Sequence, residues 1–169
     1  MALKAIQTEY KGYLFRSRLE ARWAVFLDRM GIPFTYEPEG FDLDGTWYLP
    51  DFHCNVVEGC WIEVKPKAPS LKAKALAAKL SRAARCPVLI LIGQPWLKQL
   101  HIEGYDSGIE LRRSYAWRFF WALIVLSQLR NVLLFAWAHR RRPWLDLWRV
   151  EEALEAARQA RFEHGETPQ

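Results

Sequence analysis

The stretch that decides the fold is "PDFHCNVVEGCWIEVKPK", Pro50 to Lys67. Its second half, "CWIEVK", places Trp61, Ile62 and Val64 around Glu63 and Lys65. Side chains alternate along a strand, so Ile62 and Val64 share one face and Glu63 and Lys65 share the other. Pro66 holds Lys65 extended and ends the strand. Asp51 follows Pro50 at the predicted end of a preceding strand, "TWYLPDF". "VVEG" reads as a turn between the two, and a short turn favours a hairpin. Such a hairpin brings the Asp51 carboxylate beside Glu63. The apolar face then anchors the strand in the core while the charged face lines a cleft.

Working outward, "SRLEARWAVFLDRMG" predicts a helix with Ser17 as N-cap and Gly31 as its stop. Leu19, Trp23, Phe26, Leu27 and Met30 recur at helical spacing, and Glu20 and Arg22 fall off that stripe. "FTYEPEG" reads as a strand into a loop and "DLDG" as a turn. After Pro66, "SLKAKALAAKLSRAAR" predicts a helix capped by Ser70. Leu71, Leu76, Leu80 and Ala83 are its expected core face, with Lys72, Lys79 and Arg82 outside. "PVLILIG" is a continuous apolar run, the pattern of a strand covered on both faces. The order helix, strands, helix, buried strand predicts an α/β core. "QLHIEGYDSGIEL" suits strand and turn, residues 115–148 fit either helix or strand, and Asp146 to Glu166 predicts a helix. The expected organisation is a core over residues 1–95, a Trp/Arg-rich extension over 96–148, and a C-terminal helix and tail over 149–169.

Charge is distributed unevenly along the 169 residues. Residues 1–65 hold seven basic against ten acidic side chains, residues 66–149 fifteen against four, and residues 150–169 two against five. An acidic first third and a strongly basic middle point to a polyanionic partner, nucleic acid or an anionic membrane. Cys54, Cys60 and Cys86 show no paired metal-ligand spacing and are odd in number. They read as reduced thiols in a cytoplasmic protein. "MALKAIQTEYKGY" lacks the apolar core of a signal peptide. "FFWALIVLSQL", Phe119 to Leu129, is uncharged for only eleven residues, and reaching spanning length means burying Arg118 and Arg130. A membrane span is not expected.

Two carboxylates converging on a strand end make a hard oxygen site, the arrangement Mg²⁺ takes together with water and a substrate phosphate. A nearby ammonium suits orienting or deprotonating a water and balancing phosphate charge. The bland alternative for Glu63 and Lys65 is an exposed ion pair on an edge strand. Pro50-Asp51, eleven intervening residues, then Glu63-Val64-Lys65 resembles the motif of the PD-(D/E)XK nuclease superfamily. In that superfamily the Asp and Glu bind the metal and the Lys assists the attacking water. Many members add a Glu from the helix before the motif strands, and Glu20 occupies that position here. The resemblance covers roughly residues 10 to 95. It implies a restriction-endonuclease-like core, a mixed β-sheet flanked by helices, with Asp51, Glu63, Lys65 and Glu20 catalytic. It also implies Asp51 and Glu63 as ligands of Mg²⁺, with Mn²⁺ substituting, and cleavage that leaves a 5′-phosphate.

Glu20 carries two readings. Ser17-x-x-Glu20 is also a capping box, in which Glu20 bonds back to the Ser17 amide. His53, two residues past Asp51, shares its face in a strand and is a candidate for touching the site. Arg16, Arg18, Arg22, Lys67 and Lys72 are candidate DNA phosphate contacts, although each taken singly reads first as a surface charge. The leading expectation is a metal-dependent DNA endonuclease or nickase. A Holliday-junction resolvase is the runner-up, with the Trp-rich region 115–148 as a candidate homodimer surface. A non-catalytic nucleic-acid-binding protein on the same fold needs none of Asp51, Glu63 and Lys65 together. An iron–sulfur exonuclease is disfavoured because four cysteine ligands are required. The C-terminal "ALEAARQARFEHGETP" resembles the tail of small phage-encoded nuclease-like proteins, which implies phage or mobile-element DNA processing in a bacterial host cell.

Overall fold

A computed structural model describes residues 6–55, 59–96, 102–105, 147–160 and 162. Among them the chain is mixed α/β, with a five-stranded mixed sheet and three helices. Strands β1 (Thr8–Tyr10) and β2 (Tyr13–Phe15) form a hairpin that precedes α1 (Arg18–Arg29). Then come β3 (Phe34–Tyr36), β4 (Phe41–Asp42), β5 (Trp47–Tyr48), β6 (Phe52–Cys54) and β7 (Cys60–Lys65). Helix α2 (Leu71–Ala84), β8 (Val88–Ile92), β9 (Ile102–Tyr105) and α3 (Leu147–Gln159) follow.

The main sheet runs β3-β6-β7-β8-β9, so β7 is its middle strand. β6 pairs antiparallel with β7, with Phe52 opposite Ile62 and Cys54 opposite Cys60. β7 pairs parallel with β8, with Glu63 opposite Ile90 and Lys65 opposite Ile92. A parallel pair needs a crossover, and α2 supplies it. β9 extends the sheet into the 96–148 segment.

Two cores cover the two faces. On one, Ile62, Val64, Leu89, Leu91, Phe52 and Cys54 pack with the α1 residues Ala21, Trp23, Ala24, Phe26 and Leu27. Ala153 and Ala157 of α3 join this core, and Arg149 Nε donates to the Arg29 carbonyl. On the other, Trp61, Val88 and Ile90 pack with Ala77 and Leu80 of α2 and with Leu43. Val88 to Leu91 are therefore buried on both faces, as their unbroken apolar run predicts.

The helix ends follow their sequence signals. Ser17 is extended and accepts the Glu20 amide, and Ser70 does the same for Ala73. Gly31 leaves α1 with φ +69°, a conformation that suits glycine. The turn Lys11-Gly12 has φ +48° and +78°, which matches the right-handed twist of the β1–β2 hairpin.

Three sequence expectations need correcting. Leu71 is exposed because it opens α2 beyond the edge of the core, and Ala83 is exposed as well. Ala77, one turn before Leu80, and Ser81, next to it, are buried in their place. Asp51 does not end the strand that begins at Trp47. β5 is short and pairs with β4, and the chain bends at Pro50-Asp51 to start β6. Among the described residues no helix is long and apolar enough to cross a membrane. Residues 116–138 and all but the last two of 115–148 lie outside the described residues.

Candidate functional site

The site sits at the Lys65 end of β7. Neighbours on both sides satisfy this strand's backbone, and Ile62 and Val64 lock it into the α1 core. Glu63 is consequently buried, and Lys65, the last residue before the proline, is half-buried. An exposed ion pair on an edge strand is therefore excluded. Lys65 Nζ donates to Glu63 Oε1, two residues away on the same face. Glu63 Oε2 is buried with no hydrogen-bond partner. A solvent-free carboxylate oxygen is costly to leave unmatched.

Asp51 arrives on the adjacent strand. Its Oδ2 accepts the Val64 amide at 2.7 Å, and its Oδ1 accepts Arg16 Nη2 at 2.9 Å. Its carbonyl accepts the Glu37 amide at 2.9 Å, which continues the β3–β6 pairing by one residue. The hairpin thus brings Asp51 to Glu63 as its spacing predicts, with Asp51 opening a strand instead of ending one.

Glu20 projects from the first turn of α1. Ser17 Oγ donates to its Oε1 at 2.6 Å and accepts its amide at 3.2 Å. Tyr36 Oη donates to its Oε2 at 2.6 Å and accepts the Arg16 amide at 2.9 Å. Glu20 is thus tied to its cap through the serine hydroxyl, and its carboxylate points toward the same cluster. Glu37 completes the group through an ion pair with Arg16 Nε.

Crowding these acids has electrostatic consequences. Burial pushes the Asp51 carboxyl well above the usual carboxylate range, and the charges of Glu63 and Glu20 push it further. The Val64 amide and Lys65 oppose that rise without cancelling it. Glu37 is also raised, by burial first, against Arg16 and with help from Glu20 and Glu63. Burial alone would weaken the Arg16 guanidinium's hold on its proton, but Tyr36, Asp51 and Glu37 together strengthen it. Burial raises the Tyr36 hydroxyl, and its bond to Glu20 adds to this, so it stays a donor.

Among the described residues no three His, Cys, Asp or Glu groups converge closely enough to hold an ion as they stand. The donor chemistry nevertheless fits Mg²⁺. Glu63 offers an unmatched buried oxygen, and Asp51 is held in a conflict of like charges that a divalent cation would relieve. Asp51 and Glu63 are the residues that would hold it.

The predicted DNA contacts are dispersed. Arg16 faces the carboxylates, with its side chain half exposed. Arg18 and Arg22 lie half-buried on α1, the latter with its guanidinium 5.3 Å from the Trp96 ring centre. Lys67 and Lys72 are exposed after β7 and at the start of α2. His53 is not at the site. It lies opposite Trp61, with ring centres 4.6 Å apart, and its Nδ1 meets Asn55. Although it shares a face with Asp51, two residues along a strand carry it away from the Lys65 end. Tyr36 and Glu37 were not expected at the site. Glu37 has φ +43°, a strained conformation for a residue with a side chain.

No protein-family model, no curated protein and no solved structure matches the chain.

Proposed function

We propose that this protein is a Mg²⁺-dependent DNA endonuclease or nickase on a restriction-endonuclease-like core of the PD-(D/E)XK type, working in phage or mobile-element DNA processing. The observation that carries the reading is the burial of Asp51 and Glu63 together at the Lys65 end of the middle strand, with one Glu63 oxygen unmatched. A structural ion pair needs neither the second carboxylate nor the buried orphan oxygen. Both have a purpose if a cation shares them.

In this reading Asp51 and Glu63 would hold the ion, whose chemistry when bound would be to offset charge on the phosphodiester and to make water a better nucleophile. Lys65, fixed by Glu63 and reachable from solvent, orients the attacking water and balances charge on the phosphate. Water adds to phosphorus and the 3′ oxygen leaves with a proton, which yields a 5′-phosphate and a 3′-hydroxyl. Glu20, held by Ser17 and Tyr36, keeps the negative field around Asp51 in place.

The test is a panel of supercoiled plasmid, single-stranded DNA and a four-way junction, each with MgCl₂ or EDTA. Metal-dependent nicking or linearisation of the plasmid supports the proposal. Cutting confined to the junction identifies a resolvase. Tight binding with no cutting in any divalent metal identifies a non-catalytic binding protein and overturns the proposal.

A further inference from the structure

Asp51 reaches the cluster with both of its oxygens engaged. Oδ2 holds the Val64 amide, a backbone donor in the middle of the sheet. Oδ1 holds the Arg16 guanidinium at 2.9 Å. A cation that binds Asp51 must therefore come in beside one of these two donors. The Val64 amide cannot withdraw without opening β7. Arg16 can withdraw, because it lies between β2 and α1, outside both, and its side chain is half exposed.

Arg16 also spans two acids. Its Nη2 is on Asp51 and its Nε on Glu37, which is a use of the planar guanidinium fork that a lysine cannot reproduce. Its own amide is fixed by Tyr36 Oη, the hydroxyl that holds Glu20, so the backbone anchor of this residue is separate from the ion pairs of its side chain. The second cation at the cluster, Lys65, is already committed to Glu63 Oε1, and Glu63 Oε2 has no partner. One end of the carboxylate pair is thus covered by a movable cation, and the other offers a buried oxygen without one.

We infer that Arg16 is a displaceable internal counter-ion, which occupies Asp51 and Glu37 in the metal-free protein and yields Asp51 to a divalent ion. The inference rests on the metal site proposed above. Two cations sharing one carboxylate oxygen repel each other, so docking of Arg16 and binding of the ion oppose one another by the same factor in both directions. Arg16 is then a positioning residue whose removal strengthens metal binding, whereas loss of a ligand or of a merely structural ion pair weakens it.

The test is titration of the full-length protein with MnCl₂, following free Mn²⁺ by electron paramagnetic resonance. Arg16→Gln should bind Mn²⁺ about tenfold more tightly than the wild type, within the ordinary range of such couplings. Arg16→Lys keeps a charge without the fork and should tighten binding by a smaller factor. Circular dichroism establishes that each variant is folded. If Arg16→Gln does not fold, Arg16→Lys carries the comparison by itself. Asp51→Asn should lose the binding. Unchanged or weaker affinity in the Arg16 variants, with binding still lost in Asp51→Asn, overturns the role of Arg16 and leaves the metal site standing. No Mn²⁺ bound by the wild type at millimolar metal overturns both.

Discussion

Lys65→Met removes the cation from Glu63 while keeping most of the aliphatic stem. The Glu63 side chain is 6% exposed and that of Lys65 is 34% exposed. Breaking a buried pair from one side strands the other charge and costs about 3–5 kcal/mol. Because water reaches a third of Lys65, the loss here should be smaller, about 2–3 kcal/mol. At about 2–4 °C per kcal/mol for a chain of this size, the melting temperature should fall by roughly 5–10 °C. The assay is thermal unfolding followed by circular dichroism at neutral pH in EDTA. The double variant Glu63→Gln, Lys65→Met removes both charges and should recover most of the loss, since an apolar or neutral replacement of a buried pair is near neutral. Saturating MgCl₂ should narrow the gap between Lys65→Met and wild type, because a bound cation replaces the missing one. A Lys65→Met protein that melts within about 1 °C of wild type in EDTA would refute the reasoning, as the expected shift is several times larger. So would a double variant no more stable than the single one.

Two further outcomes follow from the same cluster. Asp51 and Glu37 both hold their protons more tightly folded than unfolded, so their contribution to stability is full below their ordinary values of 3.8 and 4.5 and is lost as pH rises through the raised ones. In EDTA the protein should melt higher at about pH 5 than at about pH 7.5, and Mg²⁺ should close the difference. A melting temperature that climbs steadily over that interval contradicts the crowding of acids. Ser17→Ala removes the cap of α1 and a hydroxyl bond to Glu20, and urea denaturation should show a loss of about 1–2 kcal/mol. A neutral result would show that Glu20 does not depend on its cap.

Much of this was legible in the sequence because it is encoded locally. Alternation in "CWIEVK" assigned Glu63 and Lys65 to one face, and Ser17, Gly31 and Ser70 marked helix ends that the structure has. The unbroken "VLILI" announced a strand covered on both sides. What was not legible depends on pairing between distant segments. Tyr36 and Glu37 reach the cluster only because β3 pairs with β6, and neither periodicity nor spacing encodes that register. Arg16 read as one candidate phosphate contact or surface charge among several, whereas the structure places it after the β1–β2 hairpin and against Asp51. The strand ending at Asp51 was misplaced because Trp47, Tyr48, Leu49 and Phe52 make "TWYLPDF" read as one strand. Only the bend at Pro50 divides it between two sheets.

The central claim is that Asp51, Glu63 and Lys65 form one hydrolytic site, and its most direct test is cleavage of supercoiled plasmid in MgCl₂ by the wild type beside Lys65→Ala and Asp51→Asn. Cutting should require the metal, stop with EDTA and leave 5′-phosphate ends. Lys65→Ala should cut about 10²–10⁴-fold more slowly, the usual contribution of a group that handles the proton or charge of the attacking water. Metal-dependent cutting at the wild-type rate by folded Lys65→Ala would contradict the account.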